Sequence, residues 1–459
     1  MSPLRRPNTV TRWTLLIALI ALPTGPGHVE AQAPAAQGGG ASVTLAQVQG
    51  RELPLEEAIK IALAGEPNIQ ARLYDYEAAR FRVAQALSPI LPQLSGTWTA
   101  NRQQSQFFAG AVGRETTEAV PLFATTTTAR VTLSQILFDF GKTFASLDVA
   151  RAQAEIARLD AETQKDQVVL AVKEAYFTLL LARRLVAVNQ AALERAELNL
   201  RSARGFFEVG ARPKSDVTRV EVDVANARVN LIRARNGVSL GRVALNTAMG
   251  IAVDSPTEAK DLLFYEPYSV DQSQLVSDAL RQRPEYQRVN SLVSGAEAGV
   301  RRALRDFFPD ISGSGSYGGT FRNPRSATDL AEIWELGVSL TWSVFDGGNR
   351  VTRYQETKKS LEAARARVRA LELSIGQEVL QASLNFQEAQ ERIGAAQKAV
   401  ESAQENFRLA QGRFDAGVGT ILELTDAQVA LTQAQATEAQ ALADYRIAIA
   451  RVERALGRR

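Results

Sequence analysis

The sequence predicts a mainly helical fold with a small β part, assembled from two copies of one unit. Three observations lead there. The chain repeats itself: residues 133–141 read LSQILFDFG and residues 340–348 read LTWSVFDGG. Residues 205–250 match 412–457 without a gap, pairing Gly210 with Gly417, Asp216 with Glu423 and Gly250 with Gly457. The common offset of about 207 positions is far longer than a solenoid period, so each copy is a whole structural unit. Next, residues 142–208 and 349–415 contain no proline and few glycines, as very long helices require. Finally, short stretches of alternating apolar and polar residues precede both long segments, as strands with two unlike faces require.

A length of 459 residues would hold two or three ordinary domains. Lys+Arg (53) and Asp+Glu (50) nearly balance, which argues against a broad nucleic-acid surface. Part of the basic excess comes from Arg5, Arg6 and Arg12. The absence of cysteine excludes disulfides, cysteine–zinc sites and an acylated N-terminal cysteine. The only histidine is His28. No cofactor is expected.

The first segment has the form of a secretory signal, residues 1–31. A basic start precedes the apolar run WTLLIALIAL, which is too short to span a bilayer as a helix. Val29 and Ala31 suit cleavage before Gln32. Residues 32–52, rich in Ala, Gln and Gly, are expected to be disordered. No later stretch has the length and apolarity of a membrane helix, so a membrane role must use strands.

Repeat one spans 53–250 and repeat two 272–459, joined by an irregular linker, 251–271. Each opens with a helical stretch, 55–87 or 274–307, ended by Pro92 or Pro309, which turns the chain extended. Two strands follow. Trp334, Leu336, Val338, Leu340, Trp342 and Val344 alternate with Glu335, Gly337, Ser339, Thr341 and Ser343. Ile311, Gly313, Gly315, Tyr317, Gly319 and Phe321 form one face of its partner. Ala129, Val131, Leu133 and Leu137 alternate likewise in the first repeat, with 94–102 as partner. Polar loops are expected over 103–126 and 322–330. Trp334 and Trp342 suit the two aromatic girdles of a barrel strand.

The turns at Asp139/Gly141 and Asp346/Gly348 convert strand into helix, with Asp capping and Gly taking unusual dihedrals. Each long helix is about 100 Å long at 1.5 Å per residue, too long for a compact domain. Phe386, Ala389, Ile393, Ala396, Val400, Ala403, Phe407, Ala410 and Phe414 step by threes and fours, as in a coiled coil. Gly210 or Gly417 ends the long helix, and a second helix returns, 215–249 or 420–456. The result is two antiparallel hairpins with tight tips.

Four strands cannot close a barrel. Edges left unpaired in lipid cost several kcal/mol per lost hydrogen bond, so other subunits must complete the ring. Sequence alone does not fix their number.

The order helix, two strands, long helix and return helix, repeated once with paired FDFG and FDGG turns and glycine tips, resembles the TolC-type outer-membrane efflux family. The likeness covers about residues 53–457. It implies a homotrimer whose twelve strands share one outer-membrane barrel above a periplasmic helical tube. It further implies docking to an inner-membrane pump through a periplasmic adaptor, and export of drugs, metals, small molecules or proteins.

By the same resemblance, Glu423 and Asp426 take the place of two acidic rings that constrict the closed pore. Residues alone offer a second reading: Thr420-x-x-Glu423 is a capping box, which leaves Asp426 less well explained. Ser215 and Asp216 occupy the other tip. The family locks an acid there against a tyrosine and an arginine. Phe414 and Gly419 stand in those two places here, without a hydroxyl or a cation, and Arg212, Lys214 or Arg219 could supply a different pair. Without the lock, Asp216 reads as an exposed first-turn carboxylate favoured by the helix dipole.

Two enzyme-like patterns fail on context. Gly313-Ser-Gly-Ser-Tyr-Gly318 fits GxGxxG but lies inside an alternating strand. Gly141-Lys142-Thr143 resembles the end of a phosphate loop, but Ile136 holds the earlier glycine's place. The expectation is a passive exit duct and not an enzyme. A periplasmic adaptor would have one hairpin, and a coiled-coil envelope protein would lack the strand pairs.

Overall fold

The computed structural model describes residues 52–108, 119–268, 274–323 and 331–459. The signal sequence and nearly all of 32–52 lie outside them. The element order is β1 (Glu52–Leu53), α1 (Leu55–Gly65), α2 (Pro67–Leu87), β2 (Gln93–Phe108), β3 (Ala119–Phe138), α3 (Lys142–Glu208) and α4 (Lys214–Met249). It continues with β4 (Glu258–Ala259), α5 (Leu275–Gln282), α6 (Pro284–Arg305), β5 (Asp310–Asn323), β6 (Ala331–Thr341), α7 (Asn349–Asp415) and α8 (Ile421–Leu456). The long helices α3 and α7 both run 67 residues, and the return helices α4 and α8 both run 36.

Four expectations need correction. Neither opening helix is continuous. Glu66 and Arg283 precede prolines and are extended (ψ 123° and 125°), which splits each stretch in two. Pro67 and Pro284 then serve as first helical residues, where a missing N–H costs nothing. The strand pair of repeat one also outruns its expected loop, because the ladder continues to Phe108↔Ala119. Its backbone bonds do not depend on apolar side chains. Finally, the linker is not wholly irregular. Its Glu258–Ala259 pairs in parallel with Glu52–Leu53, so Glu52 belongs to a strand and not to the disordered segment.

The main sheet has the order β2-β3-β5-β6, antiparallel throughout. One face carries Leu94, Trp98, Val131, Leu133, Tyr317, Trp334, Leu336, Val338 and Leu340, all exposed. The register aligns them in rows, such as Gly96↔Val131↔Tyr317↔Trp334. The opposite face carries Ser, Thr and Gly, and the ion pair Arg130–Glu335 at 3.8 Å. Among the described residues, no strand pairs with the outer edge of β2 or of β6.

The helices pack side by side in the same sense. Toward the sheet the order is α2-α3-α6-α7; toward the tips it is α4-α3-α8-α7. Close approach uses small residues: a Cβ on Gly241 of α4 would lie 3.2 Å from Leu179 Cα in α3. The outermost helices present apolar side chains to solvent. These are Tyr74 and Phe81 on α2, Val222, Val229, Ile232 and Leu240 on α4, and Leu373, Leu380 and Leu384 on α7.

Three apolar cores hold the protomer. One surrounds Tyr176, Val172 and Leu245, and one surrounds Phe386, Ile393 and Tyr445. The third joins the two tips through Ala203, Val217, Val220, Phe414, Ile421 and Leu424. The linker is pinned across the first two. Tyr176 Oη donates toward the Leu53 and Lys260 carbonyls (2.8 and 2.9 Å), and Tyr445 Oη donates to the Glu266 carbonyl (2.7 Å). Among the described residues, no helix is long and apolar enough to cross a membrane.

Candidate functional site: the paired hairpin tips

Both long helices end the same way. Gly210 and Gly417 take left-handed dihedrals (φ 73° and 77°), which a side chain resists. The next amide closes each end: Ala211 N–H donates to the Phe206 carbonyl, and Val418 N–H to the Arg413 carbonyl. Gly419 needs to be glycine for a different reason. A Cβ there would lie 2.9 Å from Phe414 N and 3.0 Å from Arg413 C.

The tips meet through Arg212. Its Nη2 donates to the Gly419 carbonyl at 2.6 Å, and its guanidinium lies 4.7 Å from the Phe414 ring centroid. Asp216 Oδ2 stands 3.7 Å from Arg212 Nη1, and both side chains are largely buried, 15% and 17% exposed. Asp216 is therefore not the free first-turn carboxylate expected from sequence; it neutralises an arginine. Phe206 meets Phe414 edge-on at 5.6 Å. Ser215 is exposed beside this contact.

The acids on α8 divide. Thr420 Oγ1 accepts from Glu423 N–H at 3.2 Å, which is half of the expected capping box. The Glu423 carboxylate goes instead to Arg413 Nε, 3.5 Å away on α7. Asp426 is exposed one turn further on. Sequence reading missed its neighbour, Asp223 on α4, which accepts from Thr425 Oγ1 at 3.2 Å. Burial raises the Asp223 carboxyl pKa, Thr425 and Arg219 oppose the rise, and the negative charge of Asp426 adds to it. Arg219 thus acts on Asp223 from its own helix. The seam behind these residues encloses about 240 Å³, lined by Asn189, Asn226, Asn230, Gln428 and Thr432 among others.

The strand-to-helix turns are built as expected. Asp139 accepts from Gly141 N–H (2.9 Å) and Thr143 N–H (2.7 Å), and Asp346 accepts from Arg350 N–H (3.1 Å). Gly141 and Gly348 have φ 81° and 86°. Lys142, of the rejected phosphate-loop pattern, is engaged by Asp310 at 2.8 Å.

A sheet with one bare apolar face and, among the described residues, two unpaired edges, set on two very long hairpins, is the fold of an outer-membrane channel chain. The outer membrane efflux protein profile matches residues 58–251 and 275–458, and the chain belongs to that family. Its place is the outer membrane, with the helical part in the periplasm. The outer membrane efflux protein BepC of Brucella suis is 23% identical over 68% of this chain. That alignment spans 65% of BepC, just under two thirds of its length. Outer membrane protein TolC of Vibrio cholerae is 23% identical over 88% of this chain and 90% of its own. Among solved structures, the open state of the Neisseria gonorrhoeae MtrE outer membrane channel aligns with a TM-score of 0.73. It is 21% identical and the alignment covers 88% of this chain and 89% of MtrE.

Proposed function

We propose that three copies of this chain form a passive exit duct, a twelve-stranded barrel above a twelve-helix tube, gated at the hairpin tips. The observation that carries this reading is one protomer with matching free borders at every level. β2, α2 and α4 form one border; β6 and α7 form the other. Both helical borders expose apolar side chains. Joining unlike borders head to tail generates a ring, which satisfies the ladder bonds that lipid cannot. The apolar sheet face then meets lipid and the Ser/Thr/Gly face lines water.

At the narrow end, Glu423 and Asp426 from each copy gather negative charge about the axis, repelling anions and attracting cations. The energy for transport comes from a partner. We place a periplasmic adaptor at the tips and an inner-membrane pump beyond it, as in tripartite efflux or type I secretion. The duct itself performs no chemical step. Reconstitution into planar bilayers tests the reading: discrete, cation-selective, low-conductance channels are expected. Protein that inserts and stays silent under all voltages would overturn it.

A further inference from the structure

We propose that Glu335, held in place across the sheet by Arg130, forms a band of charge in the barrel wall that discriminates among solutes at the exit and favours cationic ones. This rests on the channel reading above, which puts the polar sheet face in water. That face is nearly blank. Over four successive rows, from Gln93↔Ser134 to Thr99↔Thr128, Arg130 and Glu335 are its only charges. They stand on β3 and β6 with β5 between them, yet Arg130 Nη1 lies 3.8 Å from Glu335 Oε2.

The sheet is shaped for this crossing. Neighbouring strands lie about 4.8 Å apart, so the arginine spans roughly 10 Å, lying flat over β5. Gly318 stands directly opposite Arg130 on β5, where a side chain would block the path. A Cβ there would also strike the Ala129 carbonyl oxygen and come within 2.8 Å of Arg130 Cα. Ser316 stands opposite Glu335, and its Oγ is buried without a hydrogen-bond partner, as a side chain crossing overhead would leave it. Exposure within the pair is unequal: 34% for the arginine side chain and 72% for the glutamate. The cation is laid against the wall and the carboxylate stands out, so a passing ion meets the negative end first. β6 is an edge strand, so in a ring each Glu335 stands beside a seam between copies, and the carboxylates recur around the wall. Such a ring attracts cations and repels anions. A long helix of about 100 Å separates it from Glu423 and Asp426, many screening lengths away. The barrel therefore holds a second charge filter, independent of the tips.

The test measures reversal potentials in planar bilayers under a potassium chloride gradient, in a Glu423→Ala/Asp426→Ala background so that the tips do not dominate. Glu335→Gln should lower the potassium-to-chloride permeability ratio several-fold, because it bares Arg130. Arg130→Met should raise the ratio, because it bares Glu335. Both shifts should shrink in about 1 M salt, where screening acts within about 3 Å. Unchanged ratios in both variants would overturn the band. Should Glu335→Gln not insert, Arg130→Met decides on the same criterion. A channel that conducts nothing refutes the duct, and the band is then read by thiol labelling of the detergent-solubilised protein. The chain has no cysteine, so Gly337→Cys, in open space two residues along the same face, is a lone reporter. It should react several-fold faster with a cationic than with an anionic methanethiosulfonate, and adding Glu335→Gln should reverse that preference. The same preference with and without Glu335 overturns the proposal.

Discussion

Arg212 and Gly419 hold equivalent places in the two repeats, 207 residues apart, and touch: the Arg212 Nη2 donates to the Gly419 carbonyl at 2.6 Å. The missing side chain at Gly419 lets its own hairpin close against Phe414 N and Arg413 C, and leaves the carbonyl to the arginine. Internal duplication brings like positions face to face at the tips. Two arginines there would repel and collide.

If Glu423 and Asp426 form the constriction, Glu423→Ala/Asp426→Ala channels should conduct more and bind divalent cations more weakly. Conductance and magnesium block in planar bilayers measure this. Block several-fold weaker than in wild type is expected. Equal block in both would remove these residues from the pore.

Leu336 lies on the bare sheet face, 81% exposed, so in an isolated protomer it has almost nothing to lose. In lipid the case differs. Leu336→Arg should destabilise the inserted barrel by about 2–4 kcal/mol near the bilayer midplane. Its neighbour Gly337 points to the polar face with open space around it, and Gly337→Arg should be tolerated. Heat-modifiable gel migration after refolding into vesicles compares the two. Equal yields would contradict the assignment of faces.

Much of this was readable in advance. The long helices announced themselves by the lack of proline and by the stripe from Phe386 to Phe414, whose members are buried or half-buried. The strand faces followed from strict alternation. The breaks at Glu66 and Arg283 were legible too, since a residue before proline avoids helical ψ, but the apolar periodicity on either side masked them. What stayed hidden depends on partners distant in sequence. Asp223 looks like any helical carboxylate until Thr425 and Asp426 arrive from α8. In the proposed ring the pore axis lies between copies, so no pattern in one chain marks it.

Asp223 gives a pH signature. Burial raises its carboxyl pKa on folding, so the folded protein holds this proton more tightly than the unfolded chain. Stability from this site is therefore highest in acid and declines as pH rises through the ordinary carboxylate range, about 4, toward the raised value. Asp223→Asn should unfold at higher temperature than wild type at neutral pH, and the gap should close below about pH 4. Thermal melts of both proteins across that range check it; parallel curves would count against it.

Glu378 predicts the opposite trend. Burial pushes its carboxyl pKa up, but the hydrogen bond and charge of Arg283 win and hold it below the usual range. Arg283 is only 2% exposed, and its Nη1 meets Glu378 Oε2 at 2.7 Å while Nε donates to the Ala455 carbonyl. The pair stabilises fully above the unfolded glutamate pKa of about 4.3, and that stability is lost as pH falls from there through the depressed folded-state value. Glu378→Gln leaves a buried cation short of its counter-charge, costing about 2 kcal/mol at neutral pH and less in acid. Denaturant unfolding at the two pH values separates this from a simple loss of contact.

The central claim is that a four-stranded sheet with two free edges is closed by sibling copies. Electron microscopy of the protein purified in detergent tests it most directly. The expected particle has threefold symmetry and a hollow stalk whose helices run about 100 Å. Monodisperse single-chain particles with no central channel would contradict the account.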